Sequence, residues 1–542
     1  MIITNTTRSL LLKFISIALL MVLGLLLSRP LLTGKADEKV QKEKQSTTSS
    51  TNPATTQINE LAKRIDSAID GSEFANARWG ACVISISDGT ALYQRNSQKL
   101  FTPASNMKIY TTGVALDLLG ADYRWRTSVY VNAPPEANGR VHGDLILYGR
   151  GAPDFVSRSK DDSAGSLAKL ADDLYARGIR SVGGDVIGDE SYFRGDALGD
   201  GWQWTDMQWY FGAEASALSI NNNEIDVNLI PSSDAKAAAV IRTSDTQGYV
   251  TIENRTITGE RGVRPTIGVH RDLSDNNIQV WGEFAPGAKG FGARLSVHRP
   301  ALWAAKLFVE TLKSRGIAVE GEALARDSRM PRSQRFDPAQ ALELASVSSR
   351  PLSEIARKTN KESVNLNAEL ILRTLGRERG EMAKLAEPIG RERGDDEAGL
   401  AVIRAWLTRA GISTEHIALH DGSGLSRLDL VTPESTARLL LSLSKMVSGE
   451  VFKQSLPISG RDGTLAGRLK TIVDRVSAKT GSLTYTNSLS GYVTTSNGEA
   501  LAFSIMCNDQ TGRGDSTSLI DQIVTFIAAF PNLPSKKTQK SQ

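Results

Sequence analysis

The chain has 542 residues, 40% hydrophobic and 23% charged, with 64 Lys+Arg against 60 Asp+Glu. That is the composition of a globular protein too long for one ordinary core; its basic residues do not cluster with aromatics, which excludes a nucleic-acid-binding surface. The two cysteines, Cys82 and Cys507, are too few for a disulfide-dense scaffold or a cysteine zinc site.

At the N-terminus Arg8 and Lys13 precede or flank "FISIALLMVLGLLL", an uninterrupted apolar run. Residues 1–35 are expected to be a signal peptide or signal anchor, without a clean small-residue cleavage site. The protein is therefore expected to be exported, periplasmic or otherwise extracytoplasmic, meeting the membrane only through this segment. Residues 36–56 are polar and Ser/Thr-rich and read as a linker.

"RWGACVISISDGTALYQRN" predicts a β-hairpin turning at Asp88-Gly89. Cys82 lies in its first strand, and Cys507 in the alternating run "LAFSIMCNDQ"; both read as buried thiols, with one disulfide open if the strands are neighbours. Next comes "LFTPASNMKIYTTGVALDLLG", where Thr102-Pro103 is a helix start signal and Gly120 a stop. Ser105 and Lys108, three residues apart, share a helix face near its positive end. That end stabilises a serine alkoxide and disfavours an ammonium, so a desolvated Lys108 can be neutral and act as base. S-x-x-K alone is a weak motif.

From about residue 125 to 345 the chain changes to short β-like runs and Gly-rich turns, interrupted by the aromatic-rich "GDGWQWTDMQWYFGAEASALSINNN". Helical periodicity returns in "PLSEIARKTNKESVNLNAELILRTLG" and "DEAGLAVIRAWLTRAG". A final hairpin turns at Asn497-Gly498, and the closing helix "STSLIDQIVTFIAAF" carries a stripe of Leu519, Ile523, Phe526 and Ile527 that reads as core. The order suggests one discontinuous domain, 57–124 and 346–530, interrupted by two nested β-rich insertions over 125–345, with a polar tail over 531–542.

Two further motifs bear on Ser105. "KESVNLNAE" holds Ser363 and Asn365, a hydroxyl and an amide able to face one cleft, the first to relay a proton and the second to hold Lys108 and a substrate carbonyl. "AKTGSLTYTNSLSGYV" holds Lys479, Thr480 and Gly481 at the start of a strand; Lys and Thr suit a carboxylate, and glycine allows close backbone approach. S-x-x-K, S-x-N and K-T-G in this order form the motif set of penicillin-binding proteins and class A β-lactamases. Rivals fare worse: there is no G-x-S-x-G elbow, and His416 and His420 at i, i+4 lack the glutamate of H-E-x-x-H.

With these motifs the sequence resembles the class C low-molecular-mass penicillin-binding proteins, a D-alanyl-D-alanine carboxypeptidase/endopeptidase family. "HDGSGLSRLDLVTPESTARLL", "LPISGRDGTLAGRL" and the tryptophan-rich segment also match its pattern, as does the long separation of the first two motifs. Val364 stands where aspartate is common, and Ala152 where the family often has Asp. The resemblance implies an α/β (α+β) transpeptidase/β-lactamase-like domain, an antiparallel sheet flanked by helices and interrupted by the insertions. It implies that Ser105 forms an acyl-enzyme with peptidoglycan peptides or β-lactams, with Lys108 as base, Ser363 passing a proton to the leaving amine and Asn365 orienting the peptide. Lys479 and Thr480 would hold the terminal carboxylate, with Lys479 charged throughout. Backbone N–H groups of Ser105 and Ser482 would form the oxyanion hole. No metal or organic cofactor is implied, and the insertions are expected to supply no catalytic side chain. A serine β-lactamase or esterase, or a non-catalytic wall-binding protein on the same scaffold, are the alternatives; intact motifs argue against the last.

Overall fold

The computed structural model describes residues 53–157, 165–244, 246–384, 388, 391–512 and 514–531. The expected signal segment, most of the linker and the tail beyond 531 lie outside the described residues. The chain begins with α1 (Pro53–Asp70), β1 (Arg78–Ser85), β2 (Ala91–Arg95), a 3-10 turn (Ala104–Asn106) and α2 (Met107–Leu118). It ends with α8 (Pro433–Ser444), α9 (Gly449–Ser455), β17 (Val476–Leu483), β18 (Thr486–Thr494), β19 (Ala500–Asn508) and α10 (Thr517–Ala529), the elements between being given below.

These terminal parts share one five-stranded antiparallel sheet, ordered β17-β18-β19-β1-β2. Alternation sorts the side chains of β1: Trp79, Ala81 and Val83 enter the core under α1 and α10, while Cys82 and Ile84 face Ala437 of α8. The core under α1 and α10 is made by Leu61, Ile65 and Ile69 at four-residue spacing and by Ile520, Ile523, Val524 and Ile527. Each such buried aliphatic contributes roughly 1.5–3 kcal/mol. The stripe of the closing helix is thus core, as its spacing predicts; Phe526 is its partly buried edge.

The two cysteines do lie on neighbouring strands, but Cys82 pairs with Ser504 and Cys507 with Trp79. That odd offset sends the thiols to opposite sheet faces, so the disulfide left open by the sequence is excluded; both are free and buried. Burial pushes the Cys82 thiol up to about 12 and the Cys507 thiol up to about 11. We expect both thiols to resist alkylation in the native protein and to react after denaturation without reductant. A cross-linked Cys82–Cys507 peptide in a mass map would contradict the register.

The intervening segment leaves and returns at one place. Ser349 N–H donates to the Trp125 carbonyl at 2.9 Å, and Trp125 N–H to Ser349 Oγ at 3.0 Å. Strands β3 (Arg126–Val131), β4 (Arg140–Val141) and β5 (Leu145–Tyr148) are followed by α3 (Ser166–Ala176), β6 (Ser181–Val182) and β7 (Val186–Asp189). Then come β8 (Glu224–Ile230), β9 (Val240–Thr243), β10 (Thr251–Thr258), β11 (Gly268–Arg271), β12 (Asn277–Phe284) and β13 (Phe291–Ser296). Helix α4 (Pro300–Ser314), β14 (Ala318–Val319), β15 (Ala323–Arg326) and β16 (Leu342–Ser348) complete it. Its five-stranded sheet, β15-β7-β5-β3-β16, is mixed: β5, β7 and β15 run parallel. Parallel neighbours need crossovers, and α3 and α4 lie in those connections. The segment is β-rich, as its short runs suggest, with two helices added in the crossovers. β16 also continues to Ser348, past the boundary expected at 345.

After the insertion, α5 (Leu352–Lys361), α6 (Asn365–Arg379) and α7 (Asp395–Arg409) pack near α2. The motif region read as one helical stretch is two helices, broken at Ser363, whose φ is 59°.

Candidate active site

A left-handed residue and a 3-10 turn before α2, with the break at Ser363 between α5 and α6, bring the motif residues together. Ala104 has φ 48°, a left-handed conformation unusual for alanine, immediately before Ser105. The first turn is 3-10, so Ser105 lies just ahead of α2 rather than inside its first α-turn as the start signal suggests. Lys108, one residue into α2, is fully buried. Its Nζ lies 2.9 Å from Ser105 Oγ, 2.7 Å from Asn365 Oδ1 and 2.7 Å from the Ser423 carbonyl oxygen. The last two atoms can only accept. A neutral amine therefore spends both its N–H bonds on them and turns its lone pair toward the serine hydroxyl. Burial lowers the Lys108 pKa to about 7, opposed by the nearby carboxyl groups of Asp421 and Glu369.

Asn365 is held from its other side by the insertion: its Nδ2 donates to the Phe211 carbonyl at 2.9 Å. This fixes which way the amide faces. What the insertion brings to this hydrogen-bond set is thus a backbone carbonyl. Ser363 Oγ accepts from Lys479 Nζ at 3.0 Å, and Lys479 also donates to the Thr480 carbonyl at 2.9 Å. Lys479 is fully buried, and burial and the nearby Lys108 hold its pKa well below the ordinary lysine value. The sequence reading expects this lysine to stay charged, whereas burial and Lys108 both work against its charge; its Nζ lies against Ser363 Oγ.

β17 runs beside the nucleophile turn. A Cβ on Gly481 would meet Ser488 Oγ at 2.3 Å, the Pro103 carbonyl at 2.7 Å and Ser105 N at 3.0 Å, so only glycine allows this approach. Thr480 Oγ1 shares a 2.7 Å hydrogen bond with Thr464 Oγ1, and Ser482 Oγ donates to Asn487 Oδ1 at 2.8 Å. Ser105, Ser363, Asn365, Thr464 and Ser482 line a cleft of about 730 Å³. Its lining is charged and aromatic as well, with Asp206, Tyr210 and Arg294 from the insertion and Arg427 from outside it. A larger polar cavity of about 1360 Å³, against α7, does not include Ser105.

The structure brings together Ser105, Lys108, Ser363 and Asn365, with Lys479, Thr480, Gly481 and Ser482 beside them. Sequence reasoning missed Ser423, Phe211 and Thr464. The first two act through carbonyls, which carry no side-chain signature; Thr464 sits in "GRDGTLAGR", a glycine-rich stretch that marks a turn against the site. His416 and His420 hold no metal geometry: among the described residues no cluster of His, Cys, Asp or Glu could bind an ion.

A family model described as the D-Ala-D-Ala carboxypeptidase 3 (S13) family matches residues 61–530. The chain is 33% identical over 468 residues to a D-alanyl-D-alanine carboxypeptidase of Actinomadura sp. (strain R39), covering 84% of this chain and 82% of that protein. The crystal structure of penicillin binding protein 4 (dacB) from Haemophilus influenzae superposes with a TM-score of 0.73 at 24% identity, covering 87% of this chain and 99% of that one. The same Haemophilus influenzae protein complexed with a novel β-lactam gives a TM-score of 0.65 at 23% identity, over 86% and 97%.

Proposed function

The chain belongs to the D-Ala-D-Ala carboxypeptidase 3 (S13) family, and on that premise we propose that it is a serine D,D-peptidase of peptidoglycan with Ser105 as nucleophile. The observation that carries the assignment is the Lys108 amine, buried and aimed at Ser105 Oγ at 2.9 Å.

Ser105 Oγ attacks the carbonyl between two D-alanines as its proton passes to Lys108 Nζ. Backbone N–H groups of Ser105 and Ser482 receive the oxyanion. The C–N bond breaks, Ser363 gives its proton to the departing amine and regains one from protonated Lys108, and D-alanine leaves with Lys108 neutral again. Water then attacks the ester, Lys108 takes its proton and returns it to Ser105 Oγ as the ester bond breaks, which frees the shortened peptide. Asn365 orients the peptide, and the Thr480–Thr464 hydroxyl pair, with the Lys479 field behind it, receives the terminal carboxylate. A β-lactam opens onto the same serine, and its ester, having no leaving amine to diffuse away, hydrolyses slowly. The chemistry needs no metal or organic cofactor. Residues 125–348, to the end of β16, form the inserted part, and 57–124 with 349–530 the catalytic domain.

The apolar run and polar linker at the N-terminus support export, with the membrane met through that segment. Among the described residues no helix is long and apolar enough to cross a membrane. Cleavage of D-Ala–diamino acid cross-links by the same steps is the endopeptidase form of this reading.

Peptide mapping after penicillin treatment tests it. The adduct is expected on Ser105 and to persist for many minutes. An adduct on Ser363 or Ser423 would sink the residue assignment, and release within seconds would favour a β-lactamase.

A further inference from the structure

We propose that Asp421 is a positioning residue for the Ser105–Lys108 pair and that Trp202, carried by the inserted segment, holds it in that task. This rests on the reading of Ser105 as nucleophile. Asp421 is 1% exposed and forms no ion pair with a basic side chain in the described residues. Its carboxylate instead gathers the loop that follows it. Oδ1 accepts from the Ser423 and Gly424 N–H groups at 3.1 and 2.6 Å, and Oδ2 from Ser426 N–H at 2.7 Å and Ser423 Oγ at 3.2 Å. A further donor to Oδ2 is the Trp202 indole N–H, at 2.9 Å.

The loop so folded delivers the Ser423 carbonyl to Lys108 Nζ at 2.7 Å. It is tied to α2 one turn further on, where Thr111 Oγ1 donates to the Gly422 carbonyl at 2.7 Å. It also crosses the residue before the nucleophile so closely that a Cβ on Gly424, φ +80°, would lie 1.8 Å from the Ala104 carbonyl. A shift of this loop therefore moves an acceptor of the base and the support of the nucleophile turn together. The charge acts as well. Around Lys108 are Lys479 from β17, Glu369 with its ion-paired Arg373 from α6, and Asp421 from the loop, with the buried Asp429 against Asp421. The Asp421 anion opposes the desolvation of Lys108, and so sets how basic the amine remains.

The proposal predicts two separable effects. Asp421→Asn removes a charge and puts N–H donors against N–H donors. With desolvation less opposed, Lys108 stays neutral to lower pH, so the acid limb of the penicillin acylation profile should move down by on the order of one pH unit. Its plateau should fall at the same time. Trp202→Phe keeps the ring and the Asp421 charge but loses the N–H. It should slow the acylation step roughly three- to tenfold, with half-saturation unchanged. Trp204→Phe, at a position 67% exposed in the same segment, should match the wild type.

The experiment is stopped-flow acylation by benzylpenicillin from pH 5 to 9 on the described region's full chain, with melting temperatures measured alongside. The wild-type adduct is mapped first. An adduct away from Ser105 sinks both this proposal and the reading it rests on. An adduct on Ser105 with an unmoved acid limb in Asp421→Asn sinks this proposal alone, since a purely structural role lowers the plateau without shifting the limb. If Asp421→Asn does not fold, Trp202→Phe decides: a wild-type acylation step, or a change only in half-saturation, overturns the proposal.

Discussion

Replacing Lys108 by methionine should lower acylation of Ser105 by ~10² to 10⁴ for every acylating agent, D-alanyl peptide, penicillin and carboxylate-free thioester alike. Each of these needs the serine proton removed, and the Lys108 amine is in contact with that oxygen, at 2.9 Å. Methionine fills most of the buried volume, so the loss reports the amine and not a cavity. It leaves Asn365 Oδ1 and the Ser423 carbonyl without their donor, at a cost of about 1–3 kcal/mol for each buried unsatisfied group. Melting temperatures will show that cost separately. The wild-type pH profile carries a second check. Only neutral Lys108 can accept the proton, and its pKa is lowered to about 7. Acylation should therefore fall as pH drops below that value, approaching tenfold per unit, and level off above it. An unchanged rate from pH 5 to 9, or a Lys108→Met protein still acylated at the wild-type rate, would remove Lys108 from the role of base.

The site was legible where the chemistry lies in side chains at short spacing. S-x-x-K, S-x-N and K-T-G each name residues that the structure brings side by side, Lys108 bonded to Ser105 and Asn365, and Lys479 to Ser363. Hairpins were legible because Asp88-Gly89 and Asn497-Gly498 punctuate alternating runs. Three things were not. The Phe211 and Ser423 carbonyls orient Asn365 and Lys108, yet any residue could supply a carbonyl. The parallel strands β5, β7 and β15 are brought together by long-range pairing, which local runs do not encode. "SLAKLADDLYA" does carry helical spacing in Leu167, Leu170, Ala171 and Leu174, but it lies among short β-like runs that dominate the pattern. The depth of Lys479 was hidden for a related reason. K-T-G specifies the strand, while the burial of its lysine is set by Ser363 and the break between α5 and α6.

That burial makes the second large effect selective. Lys479→Met should slow acylation by D-alanyl peptides and penicillins by roughly 10- to 150-fold, the range of a lost charge-assisted interaction, and that by a carboxylate-free thioester less than tenfold. Among the described residues Lys479 has no carboxylate partner; its donors go to Ser363 Oγ and the Thr480 carbonyl. Burial and Lys108 both work against its charge. A substrate carboxylate arriving beside Thr480 and Thr464 reverses that balance, because an anion nearby favours the protonated lysine. The charged Lys479 then strengthens the hold on that carboxylate and sits against Ser363, from which the leaving amine takes its proton. A thioester uses neither service: it presents no carboxylate, and a thiolate departs without a proton. Measured side by side on folded protein, equal losses for peptide, penicillin and thioester would show that Lys479 serves the nucleophile itself and not the carboxylate and leaving group.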